Sequence, residues 1–337
     1  MSDISDPDTG RRHWADTEQP GKLRAKDQQE VVPIMSIKDI KAAPVLRAVA
    51  AAPIDHSATP GRHLFGMLLA DIAAGTTHLP SPQLNITRRI QRGIQGAAHG
   101  RRVARLLSAD PTLSAKALRV ACAAGQLRRP RTLPQVVDRL DRHYVSGLVA
   151  AATEAGSPFE HHEALRQAAR AAWQRALRVS AISYLLANLD GRFDPEEATL
   201  AGLLHNLGDL ALLGRAARDD APDIARELSD ASRCYGAEAG QELARSWGFP
   251  ASLVRVAGSC GDWYRDHEGP ADMADLVVVA QLHARLGQNH AEGLPGLQRM
   301  PAFERLDLGQ ANPRFSLGLL EAANNALALT QRQLAAI

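Results

Sequence analysis

The sequence predicts an all-α fold, and three observations support this prediction. Apolar residues recur at intervals of three and four along most of the chain, whereas alternation with a period of two is almost absent. Aromatic residues make up only 4% of the 337 residues, so alanine and leucine must build most of the core. That composition favours closely packed helices over sheets, in which aromatic and β-branched residues are preferred.

The first half of the chain is predicted to contain a tail, an arm and one helical lobe. Residues 1–35 are rich in charged residues, glutamine, glycine and proline and are predicted to be disordered. Residues 36–78 are predicted to form a helical arm, within which 63–74 has apolar residues at helical spacing. Residues 79–155 form the predicted N-terminal lobe, with helices expected at 85–95, 103–107, from about 111 to 121, and 131–152.

A second lobe is predicted for residues 156–286, because Gly156-Ser157-Pro158 is the strongest internal break in the helical pattern. Its helices are expected at 162–189, 196–205, 223–234, 237–247, 252–258 and 273–286. Residues 287–337 are predicted to be a C-terminal extension, with a loop that leads into a final helix at 316–337.

Charge is distributed unevenly along the chain, although the net charge is only +2. Between Arg88 and Arg142 the basic residues exceed the acidic ones by 10, whereas between Asp194 and Asp275 the acidic residues exceed the basic ones by 9. The simpler interpretation is that these charges belong to solvated helix faces or to two complementary lobes. The alternative is an anion-binding surface on the first lobe, with candidate residues Arg88, Arg89, Arg92, Arg101, Arg102 and Arg105.

The most informative stretch runs from Gly202 to Leu213 and is predicted to be a buried helix followed by a tight turn. His205 is the only titratable residue in its apolar half, and Asn206 follows it. A neutral amide is a poor ligand for a hard divalent cation, because it brings no charge to offset the dehydration of the ion. Gly202 and Gly208 are predicted to permit close helix packing and a sharp helix end rather than to form a phosphate-binding loop.

Several blocks occur in a defined order along the chain, namely Leu79–Pro82, Leu107–Arg119, Ala201–Leu213, and Tyr235–Leu243 followed by Trp247–Pro250. They resemble the opening Leu-Pro-x-x-Pro, the DPALSAKLLRL block, the AGLLHDIGKLVL block and the HAEVGAELLERWGLP block of the HDOD-domain family. This family is a bacterial branch of the HD phosphohydrolase superfamily that is regarded as non-catalytic and regulatory. The resemblance covers residues 79–286 and implies a two-lobed helical domain.

Departures from the superfamily pattern bear directly on function. The superfamily's metal site requires a first His, the His-Asp pair and a distant Asp, and the corresponding residues here are Arg175, His205, Asn206 and Gln281. One imidazole cannot hold a catalytic divalent cation, because such sites need three or more protein ligands. A nearby guanidinium would also repel the metal. The resemblance therefore implies an erased site, with no catalytic residue, no metal and no cofactor.

The side chains around this site have structural and functional interpretations. His205 is predicted to be a buried histidine whose ring bonds a backbone carbonyl or Asn206, and a role in a ligand pocket is the alternative. Arg175 is predicted to pair with Asp209 or Glu242, and phosphate binding is the alternative. The cysteines are far apart and are predicted to be free, buried thiols, namely Cys122, Cys234 and Cys260. No metal cluster is predicted from the spacing of His161, His162, Glu163 and His283.

These features together predict a non-enzymatic regulatory or scaffold protein in bacterial signal transduction. The resemblance implies partners that bind in trans, such as a sensor kinase, a response regulator or a cyclic-dinucleotide enzyme. The alternative is a nucleotide or nucleic-acid binder that uses the Arg-rich surface of residues 88–142, and a residual metal-dependent phosphohydrolase is less favoured. No run of about 18 apolar residues and no secretory signal is visible, so a cytoplasmic protein without membrane insertion is expected.

Overall fold

The computed structural model describes residues 59–81, 83–96, 100–124, 129–159, 161–219, 221–286, 293–309 and 313–336. Within these ranges the chain folds into helices and contains no β-strand, which confirms the predicted all-α class. These residues all belong to one compact unit, Leu46–Ile337. The predicted disordered tail and the part of the predicted arm up to residue 58 lie outside the described residues.

The helices follow one another through short connections. In the first half of the chain they are α1 (Arg62–Ala73), α2 (Leu84–Gln95), α3 (Gly100–Leu107), α4 (Pro111–Ala123), α5 (Leu133–Leu140) and α6 (Arg142–Glu154). In the second half they are α7 (Glu163–Asp190), α8 (Pro195–Leu204), α9 (Leu207–Ala216), α10 (Ile224–Ser246), α11 (Ala251–Gly258), α12 (Met273–Leu286), α13 (Pro301–Arg305) and α14 (Pro313–Ala335). A short 3₁₀ turn, Leu297–Arg299, precedes α13.

Helices α2 to α6 pack together as the N-terminal lobe, with α2 against α6 and with α3 and α4 against α5. Helix α4 begins with a capping carboxylate and a proline, both of which are common at helix N-termini. The Asp110 carboxylate accepts hydrogen bonds from the backbone N–H groups of Thr112 (2.8 Å) and Leu113 (3.2 Å), and Pro111 occupies the first helical turn, where its missing N–H costs nothing. Ser81, in the Leu79–Pro82 block, also donates to this carboxylate at 2.9 Å.

Residues 131–152, predicted as one helix, form two, so this prediction is wrong. The break falls at Asp141, the only described residue other than glycine with a positive φ, of 64°. Helix α5 ends there, and the Asp141 carboxylate accepts a hydrogen bond from the backbone N–H of His143 to begin α6. The apolar periodicity is continuous across the break, which is why the pattern alone did not indicate it.

Residues 223–247, predicted as two helices, form the single helix α10, so this prediction is also wrong. Gly236 lies inside the helix at the point where α9 crosses it. A Cβ atom on Gly208 of α9 would lie 2.6 Å from the backbone nitrogen of Gly240. The glycines of α9 and α10 therefore serve close helix contact, as predicted for Gly208, and do not interrupt α10.

Helix α1 packs against α9 and α10 and contributes to the same apolar core. The Phe65 ring stacks on Tyr235 with centroids 4.6 Å apart. The Glu227 carboxylate of α10 accepts a hydrogen bond from the backbone N–H of Leu64 at 2.8 Å, which satisfies a free donor in the first turn of α1. Asp71 forms an ion pair with Arg218. Both ends of α1 are thus fixed to the second lobe.

Helix α7, with 28 residues, connects the lobes and packs against α8, α12 and α14. Helix α14 covers α7 and also reaches α2. No helix in the described ranges is long and apolar enough to cross a membrane. The cysteines are free, as predicted, but Cys234 is exposed because it lies on the solvent side of α10, and Cys122 and Cys260 are half-buried.

Candidate functional site

The centre of the second lobe is the turn between α8 and α9, where His205 and Asn206 lie. Gly202 in the last turn of α8 permits a close approach to α7, since a Cβ atom there would lie 2.7 Å from the Cα atom of Ser180. Because α8 and α9 each pack against α7, the two turn residues are directed into the lobe and are only 1% exposed. The predicted helix followed by a turn is present, and Gly208 belongs to α9, the helix that follows the turn.

His205 is a buried histidine with a backbone partner, as predicted. Its Nδ1 atom lies 2.7 Å from the carbonyl oxygen of Gly202, so Nδ1 carries the proton and donates. Burial, together with the positive charges of Arg175 and Arg285, lowers the pKa of His205 to about 3 against the opposing effect of the hydrogen bond to Gly202. The imidazole is therefore neutral at physiological pH.

Asn206 and Gln281 are both buried, and each uses one end of its amide to hold the backbone. Asn206 Nδ2 donates to the carbonyl oxygen of Ala172 on α7 at 2.9 Å. Gln281 Oε1 accepts a hydrogen bond from the backbone N–H of Gly261 at 2.9 Å. The other amide atoms, Asn206 Oδ1 and Gln281 Nε2, are buried without a hydrogen-bond partner among the described residues. Buried amide atoms without partners are costly, and they indicate a place where a further polar group can bind.

Arg175 forms the predicted ion pair with Asp209. Its Nη2 atom lies 2.6 Å from Asp209 Oδ2, and the side chains are 33% and 15% exposed. Burial raises the pKa of the Asp209 carboxyl, while Arg175 and a hydrogen bond from Ser232 oppose that rise. Glu242, the other predicted partner, pairs with Arg245. Asp209 stands at the position of the Lys in the family block AGLLHDIGKLVL, so both members of this ion pair depart from the family pattern.

Arg285 also belongs to this site, although sequence reasoning did not find it, and Cys260 stands where the family often has a His. Arg285 lies four residues after Gln281 on α12 and therefore on the same helix face. Its guanidinium carbon lies 5.3 Å from the centre of the Trp263 ring. Burial, and secondarily the Asp209 charge, raise the pKa of the Cys260 thiol to about 12, so the thiol is protonated at neutral pH and is a poor nucleophile.

The residues present do not fit a divalent metal ion. The turn offers one neutral imidazole, the Asn206 side chain is an amide, and the carboxylate of Asp209 is held by Arg175. Catalytic metal sites need several deprotonated ligands and an open coordination position, and a guanidinium among them repels the ion. No hydrolytic step through a metal can be derived from this arrangement.

A different group of side chains has metal-ligand spacing in the described ranges. Potential ligand atoms of His267, Asp272 and Asp275 lie within 4.8 Å of one another. The fully buried Asp275 carboxylate is engaged by Arg265, by His267 Nε2 at 2.8 Å and by the backbone N–H of Asp272 at 2.9 Å. The side chains of Arg265 and His267 thus occupy the Asp275 carboxylate, and the network stabilises the loop between α11 and α12.

The candidate anion-binding residues of the first lobe all lie on α2 and α3. Five of the six are exposed and Arg89 is half-buried. Within the described ranges none of the six forms an ion pair with a carboxylate. We call this set the α2–α3 arginine surface, and it consists of Arg88, Arg89, Arg92, Arg101, Arg102 and Arg105.

Comparison with known proteins agrees with the fold. The HDOD domain family matches residues 79–259, more than half of the chain, and the chain therefore belongs to this family. No curated protein sequence matches it significantly.

Solved structures with a similar fold include the MmoQ response regulator of Methylococcus capsulatus, with 24% identity, a TM-score of 0.53, and coverage of 72% of this chain and 97% of that one. A crystallised fragment of MmoQ, residues 20–298, has 23% identity and a TM-score of 0.51, and covers 71% and 94% of the two chains. An HDOD domain protein of Geobacter sulfurreducens has 18% identity and a TM-score of 0.40, and covers 80% and 96%. At these identities the likeness concerns the fold alone.

Proposed function

We propose that this chain is a non-enzymatic regulatory scaffold of bacterial signal transduction that acts through protein–protein contacts. One observation carries the proposal: at the position where the superfamily has its first metal-binding His, Arg175 stands and pairs with Asp209 at 2.6 Å. The guanidinium supplies locally the positive charge that a metal would bring, so the fold around the turn is complete without an ion. A domain that retains the fold and has lost the catalytic ligands is suited to binding.

The proposed partners are signalling proteins that bind in trans, namely a sensor kinase, a response regulator or a cyclic-dinucleotide enzyme. The name of MmoQ, a response regulator with a similar fold, is consistent with this class. A direct test uses the purified full chain as bait against individually purified candidates from these three classes, with binding measured by biolayer interferometry. Saturable binding to a member of one class supports the proposal. Absence of binding to all three, together with catalytic turnover of a phosphodiester, contradicts it.

The absence of hydrolysis is tested with a matched variant. The wild-type chain and the triple variant Arg175→His/Asn206→Asp/Gln281→Asp are incubated with a chromogenic phosphodiester and Mn²⁺, Fe²⁺ or Zn²⁺. The wild-type chain is expected to show no turnover above the metal alone, because it lacks the ligands that would activate a water molecule. Turnover by the wild-type chain that depends on His205 would contradict the proposal, whatever the triple variant does.

A second candidate function rests on the α2–α3 arginine surface. Six guanidinium groups that have no carboxylate partner among the described residues create a positive field that can attract a nucleotide or nucleic acid. The test compares duplex DNA and RNA binding of Arg88→Ser/Arg92→Ser with that of Arg226→Ser/Arg314→Ser, a control on exposed arginines elsewhere. Affinity that falls steeply with salt and is lost only in the first variant would favour this function.

A further inference from the structure

Arg175 of α7 and Arg285 of α12 lie on two helices that pack against each other, and the positive charges of both act on His205. Both guanidinium groups act electrostatically on Asp209 and on Cys260, both lower the pKa of His205, and Arg175 also lowers the pKa of Arg285. Arg175 is one-third exposed and Arg285 is exposed, whereas His205 and Gln281 are buried. We call this set the two-arginine cluster, and it consists of Arg175, Arg285, His205, Asp209, Cys260 and Gln281.

The charges of this cluster do not balance. Arg175 and Arg285 contribute two positive charges and Asp209 contributes one negative charge. His205 is neutral because its pKa is about 3, and Cys260 is uncharged because its pKa is about 12. Two guanidinium groups held near one carboxylate leave a net positive charge, and like charges in a partly buried place are held at an energetic cost unless an anion joins them.

The cluster also has hydrogen-bond donors without acceptors. A guanidinium group has five N–H donors, and Arg175 uses its Nη2 atom on Asp209. Arg285 has a cation–π contact with Trp263 and no hydrogen bond or ion pair within the described residues. Gln281 is only 4% exposed, and its Nε2 donor has no partner there. Donors on two guanidinium groups and one amide are suited to a tetrahedral oxyanion, whose oxygens each accept several hydrogen bonds.

We propose that the two-arginine cluster binds a phosphoryl group, either as inorganic phosphate or as the phosphate of a small phosphomonoester, with Arg175 and Arg285 as the main donors and the Gln281 amide as a third. The region that holds a metal ion in the superfamily would then bind an anion through guanidinium groups in this chain. This inference does not depend on the proposed protein partners, since a scaffold with or without a bound phosphate can have the same partners.

The experiment is isothermal titration calorimetry of the full chain with sodium phosphate and, separately, with glycerol phosphate, each at constant ionic strength set with sodium chloride. The main variant is Arg285→Gln, because Arg285 is exposed and its substitution leaves the core intact. The matched control is Arg332→Gln, which removes an exposed arginine from α14. A second variant, Asp209→Asn, releases Arg175 from its carboxylate partner.

Wild-type chain and the Arg332→Gln control are expected to bind phosphate saturably and equally. Arg285→Gln is expected to weaken binding by about tenfold or more, because a charge-assisted hydrogen bond is lost. Asp209→Asn is expected to strengthen it. Tighter binding of glycerol phosphate than of phosphate would identify an ester as the ligand, and equal affinity would assign recognition to the phosphoryl group alone. Lack of saturable binding by wild type, or equal affinity in wild type and Arg285→Gln, would overturn the proposal.

Discussion

Substitution of Arg175 by methionine tests the ion pair at the centre of the site. Methionine keeps the length of the aliphatic stem and removes the charge, so Asp209 loses its partner at 2.6 Å. Removal of one member of a fully buried pair costs about 3–5 kcal/mol. Because the two side chains are 33% and 15% exposed, solvent screens part of that penalty. We therefore expect the free energy of unfolding to fall by about 2 kcal/mol at pH 7.

The assay is urea unfolding of the full chain followed by circular dichroism. Arg233→Met is the matched control, since Arg233 pairs with Asp230 at the surface and is 69% exposed. The control is expected to leave the free energy of unfolding unchanged, because solvent screens an ion pair at the surface. In the double variant Arg175→Met/Asp209→Asn, much of the loss should be recovered, because no carboxylate is then left without a partner. Equal stability of Arg175→Met and wild type would refute this reasoning.

Further predictions concern close packing, pH and thiol reactivity. Gly208→Ala should destabilise by several kcal/mol in thermal unfolding, about 3 or more, whereas Gly147→Ala, with open space at its Cβ, should be neutral or stabilising. His267 has a raised pKa from its carboxylate partner, so the stability lost in His267→Gln should be largest below pH 6 and vanish as pH rises past the folded pKa. With Ellman's reagent, Cys234 should react quickly and Cys260 slowly.

The sequence was most informative where local chemistry decides the structure. A helix was predicted from about residue 111, and α4 begins at Pro111 directly after the capping residue Asp110. The apolar spacing of 63–74 predicted α1, which is present at Arg62–Ala73. The final helix was predicted at 316–337 and is present at Pro313–Ala335. In each case capping or periodicity acts within a few residues, so no distant contact is needed to decide the outcome.

Tertiary contacts explain the elements that the sequence did not predict. Residues 223–247 were predicted as two helices, yet α10 continues through Gly236, where a Cβ atom would lie 2.7 Å from the Oδ1 atom of Asp209 on α9. Asp141 lies within an unbroken apolar pattern, yet a positive φ separates α5 from α6 there. A pattern of apolar residues carries no information about which glycine meets another helix or which residue adopts an unusual backbone conformation.

Two features of the candidate site were predictable: those set by neighbouring residues, and those at positions where this chain has a different charge from the family pattern. The buried state of His205 and the pairing of Arg175 with Asp209 were both predicted and are present. Arg285 was missed, because it reaches the site from α12, which is distant in sequence from His205. The spacing of Gln281 and Arg285 along α12 was a usable signal, since residues four apart share one helix face.

Metal content of the purified full chain shows whether the site around His205 has lost its metal. The chain is expressed in medium supplemented with iron, manganese, zinc and nickel, purified without chelator, and analysed by inductively coupled plasma mass spectrometry beside the triple variant Arg175→His/Asn206→Asp/Gln281→Asp. We expect wild type to contain far less than one metal ion per chain, because Arg175, Asn206 and Gln281 provide no metal ligands of the required charge. Near-stoichiometric metal in wild type that is lost on His205→Ala would contradict the account.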